Sequence, residues 1–346
     1  MLTKILIFVF FAIIGLGLYH NSLKNDFHYD DHHHITLNPN ITNPWNIPDF
    51  FTEPKTFSFL PGRFLHYRPL VLTSYAVNYY FGKLNPAGYH MINLALHVGC
   101  AFLLFLILQA MSGGVSTSLF IPLASGLLFL TTPFNSEVVN YITARSSVMS
   151  AFFYLLSFYC WVRFRSQKTS YFNIASLFTF LMAMLTKEIA ITLPVILWLY
   201  DLYFKPQVAG GGSSGQIPDE KGTRGYSFLN YRTYLPYLPF VFTGIFVGFF
   251  MRIALFGTFH TLGVRQIVLF PSLMIQAKVL AKYFSTTLFP VQLSSQHYIH
   301  NTINFYFFLS IVIIIGLLVF SYLLWRYYDS WGKTASFFTV WFFVAL

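Results

Sequence analysis

Apolar stretches alternate with short polar breaks along most of the chain, and most are too long for β-strands. The first, residues 5 to 18, ends at Tyr19-His20-Asn21 without a small-x-small cleavage site, so we interpret it as a retained membrane helix. Eight more stretches are apolar enough for membrane helices: residues 89–110, 117–132, 147–163, 170–186, 188–204, 235–256, 304–326 and 335–346. The pattern predicts an all-α polytopic membrane protein forming one domain over residues 1–346.

A long polar and aromatic segment, residues 20–88, separates the first apolar stretch from the next. Within it Pro69 to Gly82 is apolar, but a helix of this length reaches only about 21 Å, against a hydrocarbon core of about 30 Å. We therefore expect residues 64–82 to form an interfacial helix within a long first outer loop.

Three other polar breaks divide the later part of the chain. Residues 205–234 contain Gly210-Gly-Gly-Ser-Ser-Gly215 and predict a flexible cytoplasmic loop, either natural or an engineered linker. Residues 271–300 predict an outer surface or re-entrant segment, amphipathic over 277–289 and ended by Pro290. Lys187 and Glu188 interrupt one long apolar block and predict the turn of a helical hairpin.

Composition excludes a soluble protein, since 56% of the residues are hydrophobic and 9% charged, where soluble domains have about a quarter charged. The net charge of +10 has no basic run or soluble domain to present it to nucleic acid. Membrane lipid headgroups and a phosphate-bearing substrate are better partners. Cys100 and Cys160 lie inside apolar stretches, which is typical of small core residues.

The basic residues predict which loops face the cytoplasm. With the 64–82 helix lying on the surface, Arg163, Arg165 and Lys168 fall on the cytoplasmic side, as the positive-inside rule favours. The first outer loop and the Lys187–Glu188 turn then lie outside. We expect a bacterial inner membrane protein whose functional face opens to the periplasm.

Two adjacent carboxylates, Asp30 and Asp31, follow the first helix in the sequence Phe27-His28-Tyr29-Asp30-Asp31-His32-His33-His34. Charge beside a bilayer is costly and is often functional. We interpret Asp30 as a base that accepts a proton from a hydroxyl nucleophile, with Asp31 second. The alternative is a solvated loop or a helix cap.

Histidines surround the same carboxylates and raise the question of a metal. Imidazole and carboxylate groups are ordinary zinc or manganese ligands, so His28 and His32 are candidates for a divalent cation. Three consecutive histidines cannot all face one ion. The chemistry proposed for Asp30 requires no cofactor, and a metal remains optional.

Three cations are candidates for binding a phosphate on the outer face: Arg68, Arg145 and Lys187. Each has a simpler interpretation. Arg68 can anchor to headgroups, and Arg145 can pair with Glu137 to tie two helix ends. Lys187 can pair with Glu188 at the hairpin turn.

A polar stripe also marks one helix. His90, Asn93 and His97 share one helix face by their spacing, an arrangement that more often packs between helices than carries out chemistry. We give His90 a supporting role, as we do Glu137 and Glu188.

Four groups of motifs, in chain order, resemble one known family. They are Tyr29-Asp30-Asp31 with Asn38-Pro39-Asn40-Ile41; Tyr67-Arg68-Pro69-Leu70 with Asn85-Pro86-Ala87-Gly88-Tyr89-His90, Asn93 and His97; Pro133 with Ser136-Glu137-Val138-Val139 and Ala144-Arg145; and Lys187-Glu188-Ile189 with Leu199-Tyr200-Asp201-Leu202. The set resembles the membrane half of the transmembrane-and-tetratricopeptide-repeat (TMTC) protein O-mannosyltransferases, within the GT-C glycosyltransferase superfamily.

The resemblance implies a GT-C-like helical bundle and an inverting transfer of a sugar, usually mannose. The implied donor is a polyprenyl-phosphate-linked sugar and the implied acceptor a protein Ser or Thr hydroxyl, at the periplasmic or luminal face. It also implies that Asp30 is the catalytic acidic residue. Two departures concern the acceptor: no tetratricopeptide repeats follow, and the chain ends within an apolar run, which indicates truncation. The acceptor is therefore a protein or another molecule such as a lipid.

Two other classes of function fit parts of the pattern. A transporter or flippase of an anionic lipid or lipid-linked sugar would account for charges among membrane helices. However, the sequence contains no inverted repeat, and its polar residues gather toward one face. A non-catalytic scaffold would make Asp30 and Asp31 a simple cap.

Overall fold

The computed structural model describes residues 2–60, 66–112, 119–204, 234–251, 269–288, 305–328 and 330–345. These residues form helices and connecting turns, with no β-strand among them. The α-helices are α1 Leu2–Tyr19, α2 Asp49–Thr52, α3 Pro69–Gly82, α4 Pro86–Met111, α5 Phe120–Thr131, α6 Glu137–Asn140, α7 Arg145–Gln167, α8 Ser170–Met184, α9 Leu193–Phe204, α10 Leu238–Ile245, α11 Leu269–Leu288, α12 Phe305–Tyr327 and α13 Ser330–Ala345.

Short 3-10 and π turns connect or extend these helices. Those that matter for the site are His32–Thr36, Pro54–Phe57, Pro133–Ser136, Ile142–Ala144 and Glu188–Thr192.

Several helices have the length and composition needed to cross a bilayer. Four described helical stretches qualify fully: Leu2–Lys24, Pro86–Met111, Ile142–Gln167 and Phe305–Tyr327. Three more are apolar but shorter: Phe120–Thr131, Ser170–Met184 and Leu235–Phe249. The predicted fold class, an all-α polytopic membrane protein, is confirmed. The first span is longer than expected, because a 3-10 turn over His20–Lys24 continues α1.

Two predicted helix starts were wrong. The helix expected over 64–82 begins at Pro69, because Arg68 has the non-helical angles φ −138° and ψ 59°. Helix α9 begins at Leu193 rather than 188, since a 3-10 turn precedes it. Within the segment expected over 271–300, the structure describes helix α11, Leu269–Leu288, which contains the amphipathic stretch as far as residue 288. The loop expected over 205–234 lies outside the described residues except for Tyr234, and residues 289–300 are also outside them.

Helices α4 and α7 form the centre of the bundle. Helix α4 packs against α1, α5 and α7, and α7 also packs against α8. Small residues permit close approach, as small residues commonly do between membrane helices. A Cβ atom added at Gly126 would lie 2.7 Å from the ring of Phe11 and 2.9 Å from the carbonyl oxygen of Ala101.

Helix ends that are distant in sequence meet at one end of the bundle, which we call the pocket end. The Tyr19 hydroxyl at the end of α1 donates to the carbonyl of Leu130 near the end of α5 (3.2 Å). The backbone N–H of Leu70 at the start of α3 donates to the carbonyl of Leu185 just after α8 (3.4 Å). Helices α4 and α7 begin here, so the charged residues that precede or follow these helices become neighbours.

A second polar cluster lies at the other end of α7. Arg165 forms an ion pair with the buried Asp201 of α9, donating from Nε to Oδ1 at 2.9 Å, and the hydroxyl of Tyr237 donates to the same carboxylate. Since α7 rises about 1.5 Å per residue, this cluster lies about 30 Å from the pocket end. It ties α7, α9 and the start of α10 together.

We expect Gly126→Ala to lower the melting temperature, because its methyl group would meet the backbone of α4 as well as the Phe11 ring. Overpacking of this kind typically costs about 1–3 kcal/mol. Thermal unfolding of the purified protein in detergent measures the effect. Gly17→Ala is the matched control, because nothing lies within 4 Å of its added Cβ. A melting temperature for Gly126→Ala equal to that of the control would contradict the close packing.

Candidate active site

A pocket of ≈ 220 Å³ opens at the pocket end, between the first loop and the connection from α5 to α7. Its lining residues come from distant parts of the chain: Asp30, His34, Phe57, His66, Arg68, Val71, Tyr75, Glu137, Tyr141, Thr143, Ala144, Ser146 and Ser147. Three residues singled out from the sequence therefore line the same pocket: Asp30, Arg68 and Glu137.

Asp30 presents its carboxylate to the pocket. Its side chain is 54% exposed, and the backbone before it turns sharply, since Tyr29 has a positive φ of 48°. The backbone N–H of Asp30 donates to the hydroxyl of Tyr141 (3.2 Å), which fixes this turn against the α5–α7 connection. Asp30 is therefore accessible to a substrate while its backbone is held.

Asp31 has the opposite environment. It is 1% exposed and accepts hydrogen bonds from the backbone N–H groups of His28 (3.0 Å) and Thr143 (2.9 Å). Burial raises the pKa of Asp31, while the hydrogen bonds from these backbone groups oppose that rise. The two carboxylates thus have different roles: Asp31 joins the first loop to the α5–α7 connection, and Asp30 remains accessible from the pocket.

Two cations lie beside the pocket. Arg68 pairs with Glu188 (3.5 Å) and donates to the Ser146 hydroxyl (3.4 Å). Lys187 donates from Nζ to the hydroxyl of Ser147 (2.8 Å), which lines the pocket together with Ser146. Burial lowers the pKa of Lys187, and the Arg68 guanidinium lowers it further, whereas Glu188 and Glu137 raise it. Glu188, which the sequence also offered as a local partner for Lys187, forms an ion pair with Arg68.

Arg145 is fully buried and binds neutral groups. Its three guanidinium nitrogens donate to the side chains of Asn93 (2.8 Å), Ser74 (3.1 Å) and Asn78 (2.6 Å) and to the carbonyl of Tyr89 (2.8 Å). The guanidinium also lies over the Tyr75 ring at 4.8 Å. Arg145 is absent from the pocket lining and from the ion pairs found among the described residues. This geometry favours a structural role that joins α3, α4 and α7, and gives no support to the pairing with Glu137.

The polar stripe on α4 binds the α5–α7 connection. His90 Nδ1 lies 2.8 Å from the carbonyl of Val139, and Asn93 Nδ2 donates to the carbonyls of residues 138, 141 and 142 at 3.0–3.3 Å. His97 Nε2 contacts the Leu130 carbonyl at 3.3 Å. This matches the packing role considered for the stripe, and it places Tyr141 and Thr143 beside the two carboxylates.

Three consecutive histidines have three different surroundings. His32 lies at the surface with Nδ1 3.3 Å from the Thr36 hydroxyl, His33 contacts Asp30, and His34 is buried with Nδ1 2.9 Å from the Phe57 carbonyl. A carbonyl can only accept, so His34 carries its proton on Nδ1 and leaves Nε2 as an acceptor. Burial lowers the pKa of His34 to about 4, so the ring is neutral at physiological pH.

The described residues bring no three His, Cys, Asp or Glu side chains together as a metal site. His28 and His32 therefore gain no third ligand there, and the divalent metal stays a hypothesis.

Sequence reasoning did not identify several residues that line the pocket or contact its carboxylate. His33 and Asp30 are spaced i, i+3, a signal of contact on a helical turn that was available. The packing of α7 against the first loop brings three more residues to the pocket: Tyr141, Ser146 and Ser147. The local sequence carries no signal of this packing.

Curated proteins similar to this chain are protein O-mannosyl-transferases. The identity is 34% over 204 residues with tmtc2 of Xenopus laevis, 32% over 203 residues with TMTC2 of Homo sapiens, and 28% over 208 residues with TMTC4 of Homo sapiens. These matches cover 56%, 56% and 55% of this chain, but only 23%, 23% and 28% of the respective relatives. The chain thus spans about a quarter of their length, and the resemblance predicted from its motifs is confirmed. No family profile and no solved structure matches the chain.

We expect Arg145→Lys to destabilise the protein without weakening lipid-phosphate binding by the molecules that remain folded. One ammonium cannot reach acceptors served by three guanidinium nitrogens, and each buried acceptor left unpaired costs about 1–3 kcal/mol. Melting temperature and binding of a polyprenyl phosphate, both measured in detergent, separate the two effects. Arg68→Lys, measured in the same two assays, shows the effect of the same substitution at an arginine that does line the pocket. A normal melting temperature with weakened binding in Arg145→Lys would instead identify Arg145 as a phosphate ligand.

We expect His34 to make the protein less stable as the pH falls from about 6.5 toward 4. The unfolded state takes up a proton in this window and the folded state does not, which costs about 2 kcal/mol between pH 7 and pH 5. Melting temperatures across this range should fall more steeply for the wild type than for His34→Asn, whose amide can still donate to the Phe57 carbonyl. Parallel curves for the two proteins would contradict the buried neutral imidazole.

Proposed function

We propose, from its similarity to the TMTC protein O-mannosyl-transferases, that this chain transfers mannose from a polyprenyl-phosphate carrier to a Ser or Thr hydroxyl of a protein, with inversion at the anomeric carbon. The relatives' names supply the sugar and the protein acceptor. The carrier and the inversion come from the GT-C resemblance. Because the chain matches only about a quarter of each relative, the whole reaction is our proposal for this chain.

The observation that carries this proposal is the meeting of Asp30 and Arg68 in one pocket, with Lys187 one hydrogen bond from its wall. These residues lie far apart in the sequence and reach the pocket from two polar segments, the first outer loop and the Lys187–Glu188 turn. An exposed carboxylate beside fixed cations is what a hydroxyl nucleophile and a phosphate leaving group require.

The proposed step is a single displacement. The acceptor hydroxyl oxygen bonds to the anomeric carbon while its proton passes to Asp30, and the bond from that carbon to the phosphate oxygen breaks. The bonding electrons leave with the phosphate, whose added charge Arg68 and Lys187 stabilise. Glu188 orients Arg68 through their ion pair, and Glu137 borders the pocket beside them. Asp30 is exposed, so it can return its proton to water.

We propose that the pocket opens on the extracytoplasmic side, to the periplasm of a bacterial inner membrane. The positive-inside rule supports this orientation, because Arg163, Arg165 and Lys168 lie at or just beyond the end of α7 that is opposite the pocket. The membrane helices would then hold the polyprenyl tail, with the sugar phosphate at the pocket.

The position of the pocket favours transfer over transport. A transporter site usually lies near the bilayer midplane between broken helices. Here the charged groups gather beyond the helix ends, where an acceptor in water can reach them.

Asp30→Asn should abolish transfer, by at least about 100-fold, because an amide cannot accept the proton of the hydroxyl nucleophile. The protein should still insert into membranes and bind polyprenyl phosphate. The assay follows labelled mannose from a polyprenyl-phosphate donor into peptides rich in Ser and Thr, with glycan products identified by mass spectrometry.

Asp49→Asn is the matched control for that substitution, since Asp49 is exposed in the same loop segment and lies outside the pocket lining. It should retain wild-type turnover. Wild-type turnover by Asp30→Asn would refute Asp30 as the base. Movement of labelled lipid across the membrane of proteoliposomes, without any glycosidic product, would favour transport.

A further inference from the structure

His33 has the geometry of a group that holds the Asp30 carboxylate in place. Its Nε2 lies 3.2 Å from Asp30 Oδ1, and its Nδ1 lies 3.1 Å from the Ser58 hydroxyl oxygen. The His33 side chain is 11% exposed, whereas that of Asp30 is 54% exposed. A mostly buried imidazole therefore supports a carboxylate that faces the pocket.

The partners of His33 and Ser58 indicate which groups donate along this chain of hydrogen bonds. The backbone N–H of Leu60 donates to the Ser58 oxygen (3.1 Å), so the proton of the Ser58 hydroxyl is free to point at His33 Nδ1. An ionised carboxylate can only accept, so the contact with Asp30 Oδ1 requires a proton on His33 Nε2, which donates to it. The Ser58 hydroxyl on the other side of the ring can then donate to Nδ1.

The backbone clamps the same histidine turn. The N–H of Phe59 donates to the carbonyl of His33 (3.0 Å), and His34 Nδ1 donates to the carbonyl of Phe57 (2.9 Å). Residues 57–60 therefore bind the backbone carbonyl of His33 and the side chains of both His33 and His34. His33 has little freedom to turn away from Asp30.

We propose that His33 is a positioning residue for Asp30: it binds Oδ1 and so aims the other oxygen, Oδ2, at the acceptor hydroxyl. This inference rests on the proposed function, since it assigns how the base of that reaction is oriented. His32 and His34 do not share this role, because their ring nitrogens contact Thr36 and Phe57.

The test uses four variants of the purified full chain and measures kcat and KM for the polyprenyl-phosphate mannose donor. His33→Ala should lower kcat by roughly 10- to 100-fold with little change in KM, as expected when a reacting group loses its orientation. His33→Gln should recover much of this loss, because its amide nitrogen can reach the position of Nε2. His33→Asn places its amide nitrogen near Nδ1 instead and should not recover activity.

His20→Ala is the matched control, since His20 is exposed and lies outside the pocket lining, and it should behave as the wild type. Melting temperature and polyprenyl-phosphate binding verify that each variant is folded. The ¹⁵N chemical shifts of His33 provide a readout without turnover, and they should show the proton on Nε2.

The outcomes separate this inference from the proposed function. If the wild type transfers mannose and Asp30→Asn does not, while folded His33→Ala keeps wild-type kcat, the positioning role is overturned and the function stands. Equal activity of the Gln and Asn variants, or a His33 ring with its proton on Nδ1 and none on Nε2, would also overturn it. If the wild type itself transfers no sugar, the proposed function is refuted, and so is this inference, which rests on it.

Discussion

The hydrogen bonds of Arg145 are the constraint on which the pocket depends. A buried guanidinium needs acceptors for its donors, and here those acceptors come from α3 and α4. One of them, Asn93, also donates to the carbonyls of the α5–α7 connection, so one pair of side chains determines the position of three helices and a loop. Without this arrangement the connection would not meet the first loop.

The same connection explains why two neighbouring carboxylates behave differently. Thr143 offers its backbone N–H to Asp31 and thereby buries it, and the Tyr141 hydroxyl accepts from the backbone N–H of Asp30 and leaves its side chain outside. An anchored carboxylate next to an accessible one suits a site that needs rigidity and a reactive base together.

Much of the helical architecture follows from the sequence, because lipid requires long apolar stretches and leaves few alternatives for the backbone. The grouping of Asp30, Arg68 and Lys187 at one end also follows, since consecutive spans alternate in direction. The structural role of Arg145 does not, because an arginine at a helix start is equally consistent with a phosphate ligand until its acceptors are located. Nor does the role of His33, which depends on a segment more than twenty residues away that supplies Ser58.

A structure of the chain with a bound polyprenyl phosphate, determined by cryo-electron microscopy, tests the central claim most directly. The account predicts a phosphate within about 4 Å of Arg68 or Lys187, the usual distance of an ion pair, with the Asp30 carboxylate facing the space where the sugar would lie. A phosphate bound at the opposite end of the bundle, beside Arg165 and Asp201, would contradict it.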